Sequence, residues 1–257
     1  MNKKNLLKTI RLAKQTLKDE KFLGYTDIIF SAPKIKKSNK TNAPEPEIPA
    51  VPLKETPVPV FKGAKAKKLS EIEAVVKTCR LCRLGDSRIK AVFGEGNPDS
   101  KIMFVGEGPG YDEDRQGRPF IGRAGQLLTK IIESIGLKRE DVFIANIVKC
   151  HPMIDPKNPD LRGNDRPPSK EEMACCMPFL LAQIDIIKPK VIVTLGNSST
   201  STLLETTETI SKIRGKFHTF HKTPLMPTYH PSALLRNPAL KIDVWNDMKL
   251  LKKELGL

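Results

Sequence analysis

The sequence predicts an α/β protein in three layers, α/β/α, around a mainly parallel four-stranded central sheet, preceded by a helical and Pro/Lys-rich N-terminal extension. Three observations carry that expectation. Four short apolar runs have strand length: IMFV at 102–105, VFIANIV at 142–148, KVIVTL at 190–195 and the weaker PLMPTY at 224–229. Segments with helical spacing separate them, as at 123–137, where Leu127, Leu128, Ile131, Ile132 and Ile135 share one face. The first run stops in GEGPG at 106–110, where three glycines permit close backbone approach and Pro109 lacks an amide donor. A strand ending in such a loop is where open α/β sheets place their ligands.

The chain divides into three parts. Residues 1–24 form a basic, helical extension with Leu6, Leu7, Ile10, Ala13 and Leu17 near one face. Residues 25–68 change to Pro, Lys, Glu, Thr and Asn without a sustained apolar period, and read as a disordered, semi-extended linker. Residues 69–257 hold the folded domain. The formal charge is +15, and residues 1–68 carry 16 Lys/Arg against 6 Asp/Glu, so the excess sits mostly in the arm and suits a polyanionic partner. No run approaches 18 apolar residues, so a membrane span is not expected. The start has no secretory signature, Asp19 and Glu20 argue against an organelle transit peptide, and five cysteines point to a reducing compartment, the cytoplasm or nucleoid.

Along the domain, Ser70 and Glu73 have the spacing of a capping box and start a short helix at 69–77, which delivers the pair Cys79-x2-Cys82. Cys150 follows the second strand. A Pro/Asp/Asn/Arg loop at 151–168 leads to a second capping box, Ser169 and Glu172, opening a helix that runs through Cys175 and Cys176 to about 187. The stretch 212–222 is polar, the fourth strand ends at His230, and 242–255 closes the chain as an amphipathic helix. Parallel strands end on one edge, so the GEGPG loop, Asn146 and His230 converge on one pocket.

The cysteines form a second constellation. Cys79 and Cys82 can share a metal or cluster, and Cys150 with Cys176 would complete four thiolates; by spacing alone, zinc and [4Fe–4S] are both open. Adjacent helical residues point about 100° apart, so Cys175 is read as a small buried hydrophobe rather than a ligand.

CRLCRLGDSR, the GEGPG loop with Glu113, Asp114 and GRPFIGRAGQLL, then ANIVKCHP, the Glu-Glu-x3-Cys-x-Pro-Phe-Leu run and HPSALLR together resemble the family 4 uracil-DNA glycosylases, from residue 69 onward. The resemblance implies a [4Fe–4S] cluster on Cys79, Cys82, Cys150 and Cys176, with a structural role. It also implies a monofunctional enzyme, and a monomer is expected. The implied activity is hydrolysis of the uracil–deoxyribose bond in single- or double-stranded DNA, with the arm free to dock a replication or repair protein. Two departures stand out: Gly108 occupies a position where many members have alanine, and an apparent insertion near 153–161 lengthens the interval between Cys150 and Cys176. The insert KRRIH of covalently trapping relatives is absent, which favours turnover by hydrolysis.

On that reading Phe120 stacks on the flipped base, and Asn146 pairs with uracil O4 and N3–H. His230 donates to O2, where charge grows as the base leaves. Glu107 positions or activates water, Glu113 excludes the thymine methyl, the amides around Gly108 add donors, and Ser232 and Arg236 contact phosphates. The alternative is a non-enzymatic zinc- or cluster-bearing nucleic-acid-binding module.

Overall fold

The computed structural model of the chain describes residues 62–256. The helix expected at 1–24 and nearly all of the linker expected at 25–68 lie outside the described residues. Helix α1 (Ala64–Lys77) starts five residues ahead of the expected boundary at 69. The alanines and lysines at 64–68 are good helix formers and carry the helix back past Ser70. Ser70 therefore sits inside it, its hydroxyl donating to the Lys67 carbonyl at 2.8 Å, and the capping box expected there does not form. The second one does. Ser169 Oγ accepts from the Glu172 amide at 3.3 Å, Glu172 Oε2 accepts from the Ser169 amide at 2.7 Å, and α5 (Lys170–Ile187) follows.

The expected four parallel strands are present as the centre of a larger, mixed sheet of six. They are β2 (Ile102–Gly106), β3 (Phe143–Asn146), β4 (Val191–Leu195) and β6 (Thr223–Thr228). The order is β1-β3-β2-β4-β6-β5, with β1 (Glu95–Gly96) and β5 (His218–Phe220) antiparallel at the two edges. Both edge strands escape the sequence for physical reasons. β1 has two residues, and β5 is a half-exposed segment whose hairpin turns on His221 and Lys222, at φ 42° and 72°. Such turns need positive φ at both central residues and are usually announced by Asn-Gly.

The sheet is covered on both faces. Ile102 and Phe104 of β2, Ile144 of β3 and Val191 and Val193 of β4 pack with Leu128 and Ile132 of α4 (Arg123–Ser134) and with Met248 and Leu251 of α9 (Lys241–Leu255). Their alternates Met103, Val105, Ala145 and Ile192 are equally buried and point to the opposite face. Parallel pairing sets Gly106 opposite Asn146 and Leu195 opposite Thr228. That register brings the segments after β2, β3 and β6 to one edge.

Candidate active site and cysteine cavity

A cleft of about 540 Å³ opens at that edge, and its lining includes Glu107, Gly108, Glu113, Phe120, Asn146, His230, Ser232 and Arg236, every cleft residue that the sequence singled out.

Asn146 ends β3 and is 1% exposed, yet among the described residues its Oδ1 has no hydrogen-bond partner. An unpaired buried acceptor costs about 1–3 kcal/mol, which a purely structural asparagine has no reason to bear. Gly106, its neighbour in register, makes room for it. A Cβ on Gly106 would overlap both Asn146 Oδ1 and the tip of the Phe120 ring. Asn146 and Phe120 thus approach each other across a position that only glycine leaves open.

Phe120 holds a left-handed backbone, φ 51°, which for a non-glycine costs about 1–3 kcal/mol. Two features impose it. Glu113 Oε1 accepts from the amides of Ile121 and Gly122, both at 3.0 Å, and its Oε2 accepts from Gly110 at 3.2 Å. Gly125 lies so close beneath that a Cβ there would overlap the Phe120 carbonyl. Glu113 therefore lines the cleft while its carboxylate fastens the Phe120 loop.

His230 is the N-cap of α8 (Pro231–Arg236), and its ring centroid lies 5.6 Å from that of Phe120. The Ser232 amide donates to His230 Nδ1 at 3.1 Å, and the Ser232 hydroxyl stands 2.7 Å from the same nitrogen. A ring whose Nδ1 accepts carries its proton on Nε2. Burial first, and the Arg236 charge second, push its pKa down to about 4, so the imidazole is neutral near pH 7. Ser232, expected at phosphates, is engaged in holding this histidine; Arg236 is exposed at the cleft.

Glu107 is half-buried, and burial raises its carboxyl pKa while a hydrogen bond with the Ser198 side chain opposes the rise. Ser198 lies in α6 (Asn197–Leu204), after β4. That pairing is invisible in the sequence, because the partners lie on different strand–helix connections.

The loop that follows Cys150 is held together by side-chain bonds. Asn164 closes it, Oδ1 accepting from the Asp155 amide at 2.7 Å and Nδ2 donating to the Asp155 and Asn158 carbonyls at 2.8 and 3.0 Å. Arg115 ties it to the GEGPG side through Pro159 O at 3.0 Å and Asp160 Oδ1 at 2.6 Å. Arg162 lies 4.5 Å over the Tyr111 ring, and both residues border the cleft.

The cysteines meet elsewhere. Cys79, Cys82, Cys150 and Cys176 border one small, almost wholly apolar cavity. Cys175 borders it too and is only half-buried, which corrects its reading as a buried hydrophobe: the helix turn exposes both neighbours to the cavity edge. Among the described residues no group of three or more His, Cys, Asp or Glu converges as a single-ion site. Donors do point at sulfur. Arg88 Nη1 donates to Cys150 Sγ at 3.0 Å, and the Lys149 amide to Cys176 Sγ at 3.2 Å. Burial pushes Cys150 up to about 11 and Cys176 up to about 12, so these thiols ionise only when something positive takes the proton's place. Glu172 fastens the surroundings: Arg166 above all, then Arg83 and the Ser169 amide, hold its carboxyl at about 2 against burial.

Residues 93–249 match the uracil DNA glycosylase superfamily. The chain is 44% identical to the type-4 uracil-DNA glycosylase of Saccharolobus solfataricus over 190 residues, covering 70% of this chain and 83% of that protein. It is likewise 44% identical to the type-4 uracil-DNA glycosylase of Thermotoga maritima over 187 residues, 70% of this chain and 92% of the relative. A type-5 uracil-DNA glycosylase of Pyrobaculum aerophilum matches at 28% over 188 residues, 66% of this chain and 78% of that protein. The chain belongs to the uracil DNA glycosylase superfamily, with the type-4 uracil-DNA glycosylases.

Proposed function

We propose that this chain flips uracil out of DNA and hydrolyses its N-glycosidic bond, releasing the free base and leaving an abasic site. The observation that carries the reading is the unpaired Oδ1 of Asn146 beside the Phe120 ring. A uracil stacked on Phe120 places its N3–H where that oxygen needs a donor, while the Asn146 amide donates to O4. Cytosine offers a bare N3 and an N4 donor instead, and mismatches both groups.

As the C1′–N1 bond breaks, negative charge gathers on O2. His230 donates from Nε2–H as a neutral imidazole, the tautomer that the Ser232 amide sets by donating to Nδ1. Glu107, held by Ser198, positions water and accepts its proton when ionised. Glu113 acts on the base through the Phe120 loop that it fastens and through the space its side chain fills at the cleft. Arg236 contacts backbone phosphate beside the flipped nucleotide.

The cysteine cavity suits a [4Fe–4S] cluster on Cys79, Cys82, Cys150 and Cys176. These four cysteines border the cavity, yet no three ligating side chains among the described residues converge as a single zinc ion requires, which favours a cluster. When bound, the cluster supplies a fastening between α1, the end of β3 and α5. The decisive experiment is release of free uracil from single- and double-stranded DNA, alongside substrates containing hypoxanthine, thymine and cytosine. Release of uracil alone is expected; no release from either form of DNA contradicts the reading.

A further inference from the structure

We propose that Lys149 is a positioning residue, tying the uracil-reading end of β3 to the cysteine cavity so that one buried cation serves both. The inference rests on the glycosylase reading and on four bonds around this side chain and its backbone.

Lys149 is 1% exposed, and an ammonium so buried is costly unless it is paired. Its Nζ donates to the Asn146 carbonyl at 2.8 Å and to Gln183 Oε1 at 2.7 Å. Gln183 is fixed as an acceptor there, because its own Nε2 donates to the Phe93 carbonyl at 2.9 Å. The Lys149 amide donates to Cys176 Sγ at 3.2 Å, and its carbonyl accepts from the Val92 amide at 2.8 Å. The ionisable groups that act on the ammonium are the thiols of Cys176 and Cys150. Lys149 also borders the cysteine cavity.

Two consequences follow from this geometry. Past Asn146, the amides of Ile147 and Val148 still pair with the carbonyls of Gly106 and Glu107, while the Asn146 carbonyl is taken by Lys149. The ammonium thereby sets the peptide plane at the residue whose side chain reads the base. On the other side, thiolates that hold iron bring negative charge to the same cavity, and the ammonium offsets it. Neither the cleft nor the cavity contains this link alone.

The test uses full-length, iron-loaded protein and the variants Lys149→Met, Lys149→Arg and Gln183→Leu. Iron content and melting temperature are read first, then kcat and KM on uracil DNA, then the cluster reduction potential by protein-film voltammetry. Lys149→Met is expected to lower kcat about 10–100-fold, the usual effect of losing a partner just outside a site's primary contacts, with KM nearly unchanged. Its potential should move to a more negative value, because a reduced cluster loses its neighbouring cation. Lys149→Arg keeps the charge, but its bulkier planar guanidinium does not fit the buried point between the two acceptors, so its potential should stay near wild type while kcat still falls. Gln183→Leu should do the same more weakly. Should Lys149→Met fail to load iron, the arginine and leucine variants decide: wild-type kcat in both overturns the proposal. An iron-loaded Lys149→Met with wild-type kcat and potential overturns it as well. Absence of uracil release by the wild type would instead defeat the glycosylase reading, leaving the potential shift as an independent test of the cavity link.

Discussion

The cleft and the cysteine cavity are built by opposite rules. In the cleft, polar groups are kept available: Asn146 Oδ1 is unpaired, His230 is neutral with Nε2–H free of the Ser232 bond, and Glu107 is held by one hydroxyl. In the cavity, donors are already committed to sulfur, Arg88 to Cys150 and the Lys149 amide to Cys176. A site that must bind and release a base keeps its partners vacant and carries the cost in the apo state. A site that fastens the fold satisfies its groups permanently. The surrounding structure shows the same division, for Glu113 commits Oε1 to the amides just after Phe120, whose backbone is held in a strained conformation, and Oε2 to the Gly110 amide.

That contrast is broken most severely at the cavity. Cys82→Ser or Cys176→Ser should yield poorly soluble, iron-depleted protein, since removing one ligand of the proposed cluster would undo a fastening shared by three segments. Cys175→Ser should retain its iron although Cys175 borders the cavity; iron analysis of the purified variants checks both, and loss of iron from the Cys175 variant alone would reassign the fourth ligand.

In the cleft the fold should survive and catalysis fall. His230→Ala is expected to lower kcat about 10²–10³-fold, the range for losing one donor to a developing oxyanion, while stability falls only by the loss of one N-cap, about 1 kcal/mol. Between pH 5 and 8 the histidine should contribute no titration of its own, because its pKa lies at about 4. A full pH–rate profile separates this from the next, smaller effect. Glu107 must be ionised to accept a proton from water, so activity falls as pH drops through its raised pKa. Ser198→Ala removes the bond that opposes the rise. The acidic limb should move to higher pH while the plateau rate is kept; an unmoved limb would detach Glu107 from water activation.

Much of both regions was legible in the sequence, for identifiable reasons. β2 and β4 are continuous apolar runs because both faces are covered, and a parallel sheet then forces their polar end residues together. β1 and β5 were illegible: they are short or half-exposed, and the turn at His221 and Lys222 lacks the usual residues. The start of α1 was misplaced because a Ser-x2-Glu spacing occurs inside it. Ser198 and Lys149 were missed because their partners, Glu107 and Gln183, are distant in sequence, and only packing joins them. Cys175 differs from expectation only in burial, being half-buried at the cavity edge, which helix spacing by itself does not reveal.

The most direct test of a cleft that keeps one oriented amide waiting for uracil is Asn146→Asp, assayed on uracil and cytosine DNA across pH. An ionised carboxylate cannot donate to O4 and repels it, and sites built on such paired groups discriminate by about 10⁴ or more. Uracil excision should therefore collapse. Cytosine offers N4–H₂ to the carboxylate, but its bare N3 needs a proton donor, so weak cytosine excision should appear and rise as pH falls towards the carboxyl pKa. Asn146→Ala should lose uracil excision and gain nothing on cytosine. Uracil excision by Asn146→Asp at the wild-type rate would contradict the account, because Asn146 would then not read the base.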